Sequence, residues 1–283
     1  MGGVGGETCS RNLFRQAIFS PSDYRMKRPI PVLLLGPENW EASHVFNTNA
    51  FPKHVADLVI SCMDCLSMFT FSISQVEPNI KRDRKGFLRG LRTNKAFDGV
   101  TPDPNKPIVI VYHNAMFLVA LHLVLYSMKS FLDVYAQLVS KLIVPNATVF
   151  GFNEANVDGK KIKGGRLVNW LIESAPNTYT NASSLASAIK DNVSSWIEEA
   201  INWRDKLIHH GEIPNLHPMR VFPQCEPHNV KTNDILLPQM PNGRDVITYC
   251  EETRKNLHQF IRETFKLLPD IDFSLVNLDA INK

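Results

Sequence analysis

The chain has 283 residues and a mass of 32.0 kDa, enough to bury about 75% of its unfolded surface in one large domain or two small ones. With 44% hydrophobic and 21% charged residues, 14 Gly and 18 Pro, the composition excludes wholesale disorder, collagen-like repeats and a disulfide-stapled miniprotein. The net charge of +3 is too small to argue for a polyanion partner by itself, so any basic signal must be local.

Residues 1–50 mix Gly, Pro and aromatic residues around one apolar run, Pro31 to Leu35, and read as an N-terminal arm. The start shows no basic region followed by an apolar run, and Gly6 stands where a myristoylation signal has Ser or Thr. Cys9, Cys62, Cys65, Cys225 and Cys250 have no disulfide-framework spacing, which fits thiols in a reducing, cytoplasmic compartment. The sequons at Asn146, Asn181 and Asn192 are then chance.

From Phe51, apolar residues recur at three- and four-residue steps (Val55, Leu58, Val59, Cys62, Leu66, Phe69, Ile73), predicting a helix that ends at Pro78. Residues 81–95, KRDRKGFLRGLRTNK, hold seven Lys or Arg against one Asp. Gly86 and Gly90 predict a loop here. Its cations Lys81, Arg82, Arg84, Lys85, Arg89 and Arg92 are either a solvated surface or a polyphosphate contact.

Pro107 to Val144 predicts a long central helix whose first half is apolar enough to suggest a membrane span. His113, Asn114 and His122 interrupt that half and the second half turns amphipathic, so a buried bundle helix outside any membrane is expected. His122 reads as a satisfied core residue rather than a ligand. GKKIKGGR (159–166) reads as a loop and lacks the spacing of a phosphate loop; a short helix follows in LVNWLIES.

Leu185 to Ile208 predicts another long helix, capped at Ser183–Ser184 and stopped by Gly211 and Pro214. The Pro-rich stretch from Pro214 to Asn242 contains two short apolar runs, Met219 to Phe222 and Ile235 to Leu237, which predict a β-hairpin or a long loop. Arg244 to Leu268 predicts the last helix. Cys62 and Cys65 form a Cys-x2-Cys within a helix and lack a second pair, and His217, Cys225 and His228 lack metal-ligand spacing, so no metal or cofactor is expected.

The informative stretch is Asn202 to Gly211. Residues four apart share a helix face, so Asp205 can orient His209 and Lys206 can meet His210. Both imidazoles lie in the last turn, where the helix dipole favours the protonated form, as a proton donor requires. Arg204 is five residues before His209, about 140° around the helix. The two therefore need a second surface to close one cleft between them; the other reading of the same spacing is an ordinary capped helix end with Arg204 in a surface ion pair.

Arg204-Asp205-x3-His209 resembles the Arg-polar-x(3 to 5)-His motif of the HEPN superfamily, and Lys129-Ser130-Phe131-Leu132-Asp133 is similar to a stretch common on that family's first long helices. The resemblance spans about residues 51–270 and departs from the commonest pattern at Asp205, where Asn is usual, and at Gly211, where one branch has Tyr after the His. It implies an all-α antiparallel bundle over residues 51–270; the arm at 1–50, which matches nothing in the family, the hairpin-like insertion and a tail at 271–283 come from the chain's own pattern. It also implies metal-independent cleavage of single-stranded RNA by Arg204, Asp205, His209 and His210, the basic segment contacting RNA. A homodimer with an antitoxin or defence-system partner goes with that reading. The alternative is a noncatalytic module of the same fold that binds RNA, a nucleotide or a protein.

Overall fold

The computed structural model describes residues 53–95 and 116–268, apart from 149, 178, 211, 212, 214, 215 and 222–226. The arm, the start of the second helix at 107–115, Cys225, the Gly211 turn, the side chain of His210 and the tail lie outside the described residues. The fold is mainly α, as expected, with two small antiparallel strand pairs.

Helix α1, Lys53–Thr93, does not stop at Pro78. Proline removes one intrahelical donor, but the buried series continues through it as Val76, Ile80, Phe87 and Leu91 at helical steps. Packing of that apolar stripe outweighs the loss of one hydrogen bond. The basic segment through Thr93 is consequently the end of α1 and not a loop: Gly86 and Gly90 lower helix propensity by only about 1 kcal/mol each.

Helix α2, Met116–Ile143, is the centre of the core, with Phe117, Leu121, Val124, Leu125, Met128, Phe131, Leu132 and Tyr135 all inaccessible. Asp83 on α1 accepts a 2.9 Å hydrogen bond from the Phe117 N–H at the start of α2. Farther back on α1, Cys65 feels the charge of Asp133 and Cys62 acts on Tyr135, both late in α2. Rising numbers on one helix meet falling numbers on the other, so α1 and α2 are antiparallel. Both are long and apolar enough to cross a bilayer, while 44% of the apolar window of α1 and 50% of that of α2 are buried by protein.

Strands β1, Ala155–Val157, and β2, Lys160–Ile162, pair antiparallel through Asp158-Gly159. Both turn residues have positive φ, 49° and 80°, as a two-residue hairpin turn requires. Helix α3, Gly165–Glu173, begins immediately after. Helix α4, Ala182–Asn192, is preceded by Asn181 rather than by the predicted Ser cap, and runs through a π-helical turn, Val193–Ile197, into α5, Glu198–His210.

The π turn has a readable cause. Leu185, Ile189, Val193, Ile197 and Ile201 are all buried and all four apart, a spacing that drifts about 40° per step on an α-helix. One wider turn absorbs the drift and keeps them facing the core. Strands β3, Arg220–Val221, and β4, Ile235–Leu236, form the predicted hairpin insertion. Helix α6, Val246–Phe265, is capped by Asp245, which accepts from the N–H groups of Ile247 and Thr248. It runs antiparallel to α4 and α5, since Asn192 bonds Glu263 while Glu199 pairs with Arg244 just before α6.

Candidate functional site

Helix α5 carries the motif at its C-terminal end. Arg204 follows Ile197 and Ala200 at steps of seven and four, so it lies on the core-facing side of the helix. Its side chain is 25% exposed, and its Nε is buried without a hydrogen-bond partner among the described residues. Its Nη1 donates to Asp205 Oδ1 at 3.0 Å. His209 is exposed and stands on the other side of the helix, so one chain does not bring Arg204 and His209 together.

Asp205 does not reach His209 as the spacing suggested. Its second oxygen, Oδ2, lies 3.4 Å from Lys163 Nζ, and that ammonium also pairs with Glu154 Oε2 at 3.3 Å. Burial works against ionising Asp205, but the hydrogen bond from Arg204 and the charge and hydrogen bond of Lys163 outweigh it and hold the carboxyl below its ordinary value. Glu154, Lys163, Asp205 and Arg204 thus form one alternating chain of charge across the β1–β2 hairpin and α5. Lys206 places its ammonium 4.6 Å from the centre of the Trp203 ring.

Lys163 and Glu154 were not among the sequence candidates. The signal that would have found them is Asp158-Gly159, a hairpin turn pair that folds this segment back on itself. The seat is tight: a Cβ on Gly165 would lie 2.6 Å from the Ala155 carbonyl oxygen, so only glycine lets α3 start against β1 and holds Lys163 beside α5. The first amides of α3 are engaged, Arg166 N–H with Asn153 O and Leu167 N–H with Gly164 O, so this turn is not a phosphate cradle.

Lys129 and Asp133 pair on α2, and Asp133 accepts from the Phe152 N–H at 2.8 Å. That pair braces the loop leading into the hairpin. A Cβ on Gly151 would come within 2.7 Å of Asp133 Oδ1, so the loop can approach only at glycine. Cys62 is fully buried, and burial pushes the half-buried Cys65 thiol up to about 11, so the Cys-x2-Cys is core packing.

On α1 the cations fall into a stripe, with Lys81, Lys85, Arg89 and Arg92 within about 80° of one another. Lys81 pairs with Glu77, Arg82 bonds Asn79, and Arg92 donates to the Val230 carbonyl at 3.3 Å. Lys85 and Arg89 are exposed and make no ion pair among the described residues. Arg84 is half-buried.

Comparison with known proteins finds no match among family models, curated proteins or solved structures. The chemistry of the site therefore stands on its own residues.

Proposed function

We propose that the protein is a HEPN-like endoribonuclease that cleaves single-stranded RNA without a metal ion, by attack of a ribose 2′-hydroxyl on the adjacent phosphate. The observation that carries this reading is the end of α5, where a partly buried guanidinium and an exposed imidazole lie within five residues. His209, with His210 beside it, moves the proton, and Arg204 offers planar donors to the charge that builds on phosphorus. Asp205 fixes the Arg204 fork in place. Because Arg204 and His209 sit on different sides of one helix, a complete site is composite: two chains face each other about a two-fold axis through their α5 ends. Ile208, 51% exposed beside the motif, is apolar surface suited to such a contact. Such an enzyme fits a cytoplasmic toxin or antiviral defence system, with a cognate partner holding it in check.

The test is cleavage of single-stranded RNA by purified protein in EDTA, with Arg204→Ala and His209→Ala variants. Each substitution is expected to lower the rate by at least about a hundredfold; activity equal to the unaltered protein in either variant would refute the assignment.

A second reading is a noncatalytic RNA-binding module, favoured by the exposed Lys85 and Arg89 on the α1 stripe, which make no ion pair among the described residues. In that case binding survives substitution of Arg204 and His209 and is lost when the stripe is reversed in charge.

A further inference from the structure

We infer that the outer face of α5 is a guanine-binding subsite leading to His209, an inference that rests on the RNA-cleavage reading and gives it a base preference. A groove of about 350 Å³ runs along this face where the π turn meets α5. That volume lies at the lower end of small-molecule sites. Trp196 and Trp203 supply its apolar surface. Glu198, Asn202 and Lys206 follow one another at steps of four and His209 comes three residues later, so all four fall within about 80° on one side of the helix.

The polar groups of the groove are not all available. Glu199 is held by Arg244 and by the Asn242 amide, so it is a fixed wall. Glu198 and Asn202 are exposed, and their side chains make no hydrogen bond or ion pair among the described residues. Lys206 rests over the Trp203 ring and has no carboxylate partner among the described residues.

Along the helix the groove therefore presents a carboxylate, an amide, an aromatic surface and an ammonium, and the His209 imidazole lies three residues beyond its last lining residue. An ionised carboxylate only accepts hydrogen bonds, and its two oxygens match two parallel donors. Guanine offers that pair at N1–H and the N2 amino group. Adenine, cytosine and uracil do not. The Asn202 amide can donate to guanine O6, while the exposed parts of Trp196 and Trp203 form an apolar wall beside the base. Glu198 and Lys206 are about 12 Å apart along the axis, and His209 is about 4.5 Å beyond Lys206. A phosphate attached to the bound guanosine is thereby directed to Lys206, on the His209 side.

The experiment titrates the full chain with GMP, AMP, CMP and UMP, following tryptophan fluorescence and calorimetry, then repeats the titration with Glu198→Gln and Lys206→Ala. GMP is expected to bind at least about tenfold tighter than the other three, as one correct bidentate pair provides. Glu198→Gln removes that preference, and Lys206→Ala weakens all four nucleotides alike. Equal affinity for the four nucleotides, no binding, or an unchanged preference in Glu198→Gln overturns the inference. A parallel assay compares oligoribonucleotides with a single guanosine and with none. If GMP does not bind yet RNA is cut in a manner dependent on Arg204 and His209, the subsite fails and the nuclease stands; if GMP binds selectively and no RNA is cut, the nuclease fails and the subsite stands.

Discussion

Asp83 is the lone acid among the seven cations of residues 81–95, and its position explains it. It is 4% exposed and accepts from the Phe117 N–H at the positive end of α2, where a carboxylate satisfies a donor that the helix leaves unpaired. Asp83→Ala is expected to lower stability by about 1–3 kcal/mol, with Asp83→Asn closer to the unaltered protein because it keeps an acceptor. Thermal or urea unfolding measures this directly. His258 gives a pH signature. Burial, then the charges of Arg254 and Arg262, push its pKa from 6.5 down to about 4. The folded state thus binds fewer protons than the unfolded state between those values. Its contribution is complete above pH 6.5 and is lost as pH falls toward 4, by up to about 3 kcal/mol. Unfolding free energy measured across that window should slope downward on acidification, and His258→Gln should remove most of this slope. At the candidate site itself, spacing and a motif resemblance singled out Arg204, Asp205 and His209, but one partner of Asp205 lies far away in sequence. Lys163 is 42 residues earlier, and only the fold brings it there.

At the scale of elements, periodicity gave the helices and local breakers gave the wrong end for α1. The buried series from Val55 to Leu91 passes through Pro78 because α2 packs against α1 on both sides of it, Tyr135 near Cys62 and Phe117 at Asp83, and that tertiary gain is invisible in a local window. The i, i+4 spacing on α5 suggested an Asp205–His209 contact, whereas Asp205 turns to Arg204 and Lys163, a choice that local spacing does not reveal. The π turn was hidden in the four-residue spacing of Leu185 to Ile201, which reads as an ordinary helix unless the accumulated rotation is followed. Helical structure changes the meaning of the basic segment, since it converts scattered cations into the stripe of Lys81, Lys85, Arg89 and Arg92. Lys85→Glu with Arg89→Glu should weaken RNA binding and flatten its dependence on salt by about two counterions, measured by titration at several salt concentrations. Unchanged affinity and salt slope would remove the stripe from any RNA-binding role.

At the scale of the whole molecule, the ribonuclease reading makes assembly part of the proposed chemistry, because Arg204 and His209 are separated around α5. Light scattering at micromolar concentration is expected to give about twice the chain mass. In an assembly that joins Arg204 of one chain to His209 of the other, mixing Arg204→Ala and His209→Ala chains restores one intact site per mixed dimer. About a quarter of the original activity should return after subunit exchange. The hairpin insertion is tied to the C-terminal end of α1 by the Arg92–Val230 hydrogen bond and to the start of α5 by the Asn242–Glu199 hydrogen bond.

The most direct measurement is the chemistry of the RNA ends after incubation of the purified full chain with single-stranded RNA in EDTA. Attack by the ribose 2′-hydroxyl predicts fragments ending in 2′,3′-cyclic phosphate, formed by the unaltered protein and absent with Arg204→Ala or His209→Ala. Intact RNA, cleavage that requires a divalent cation, or cyclic ends formed equally by the variants would contradict the account.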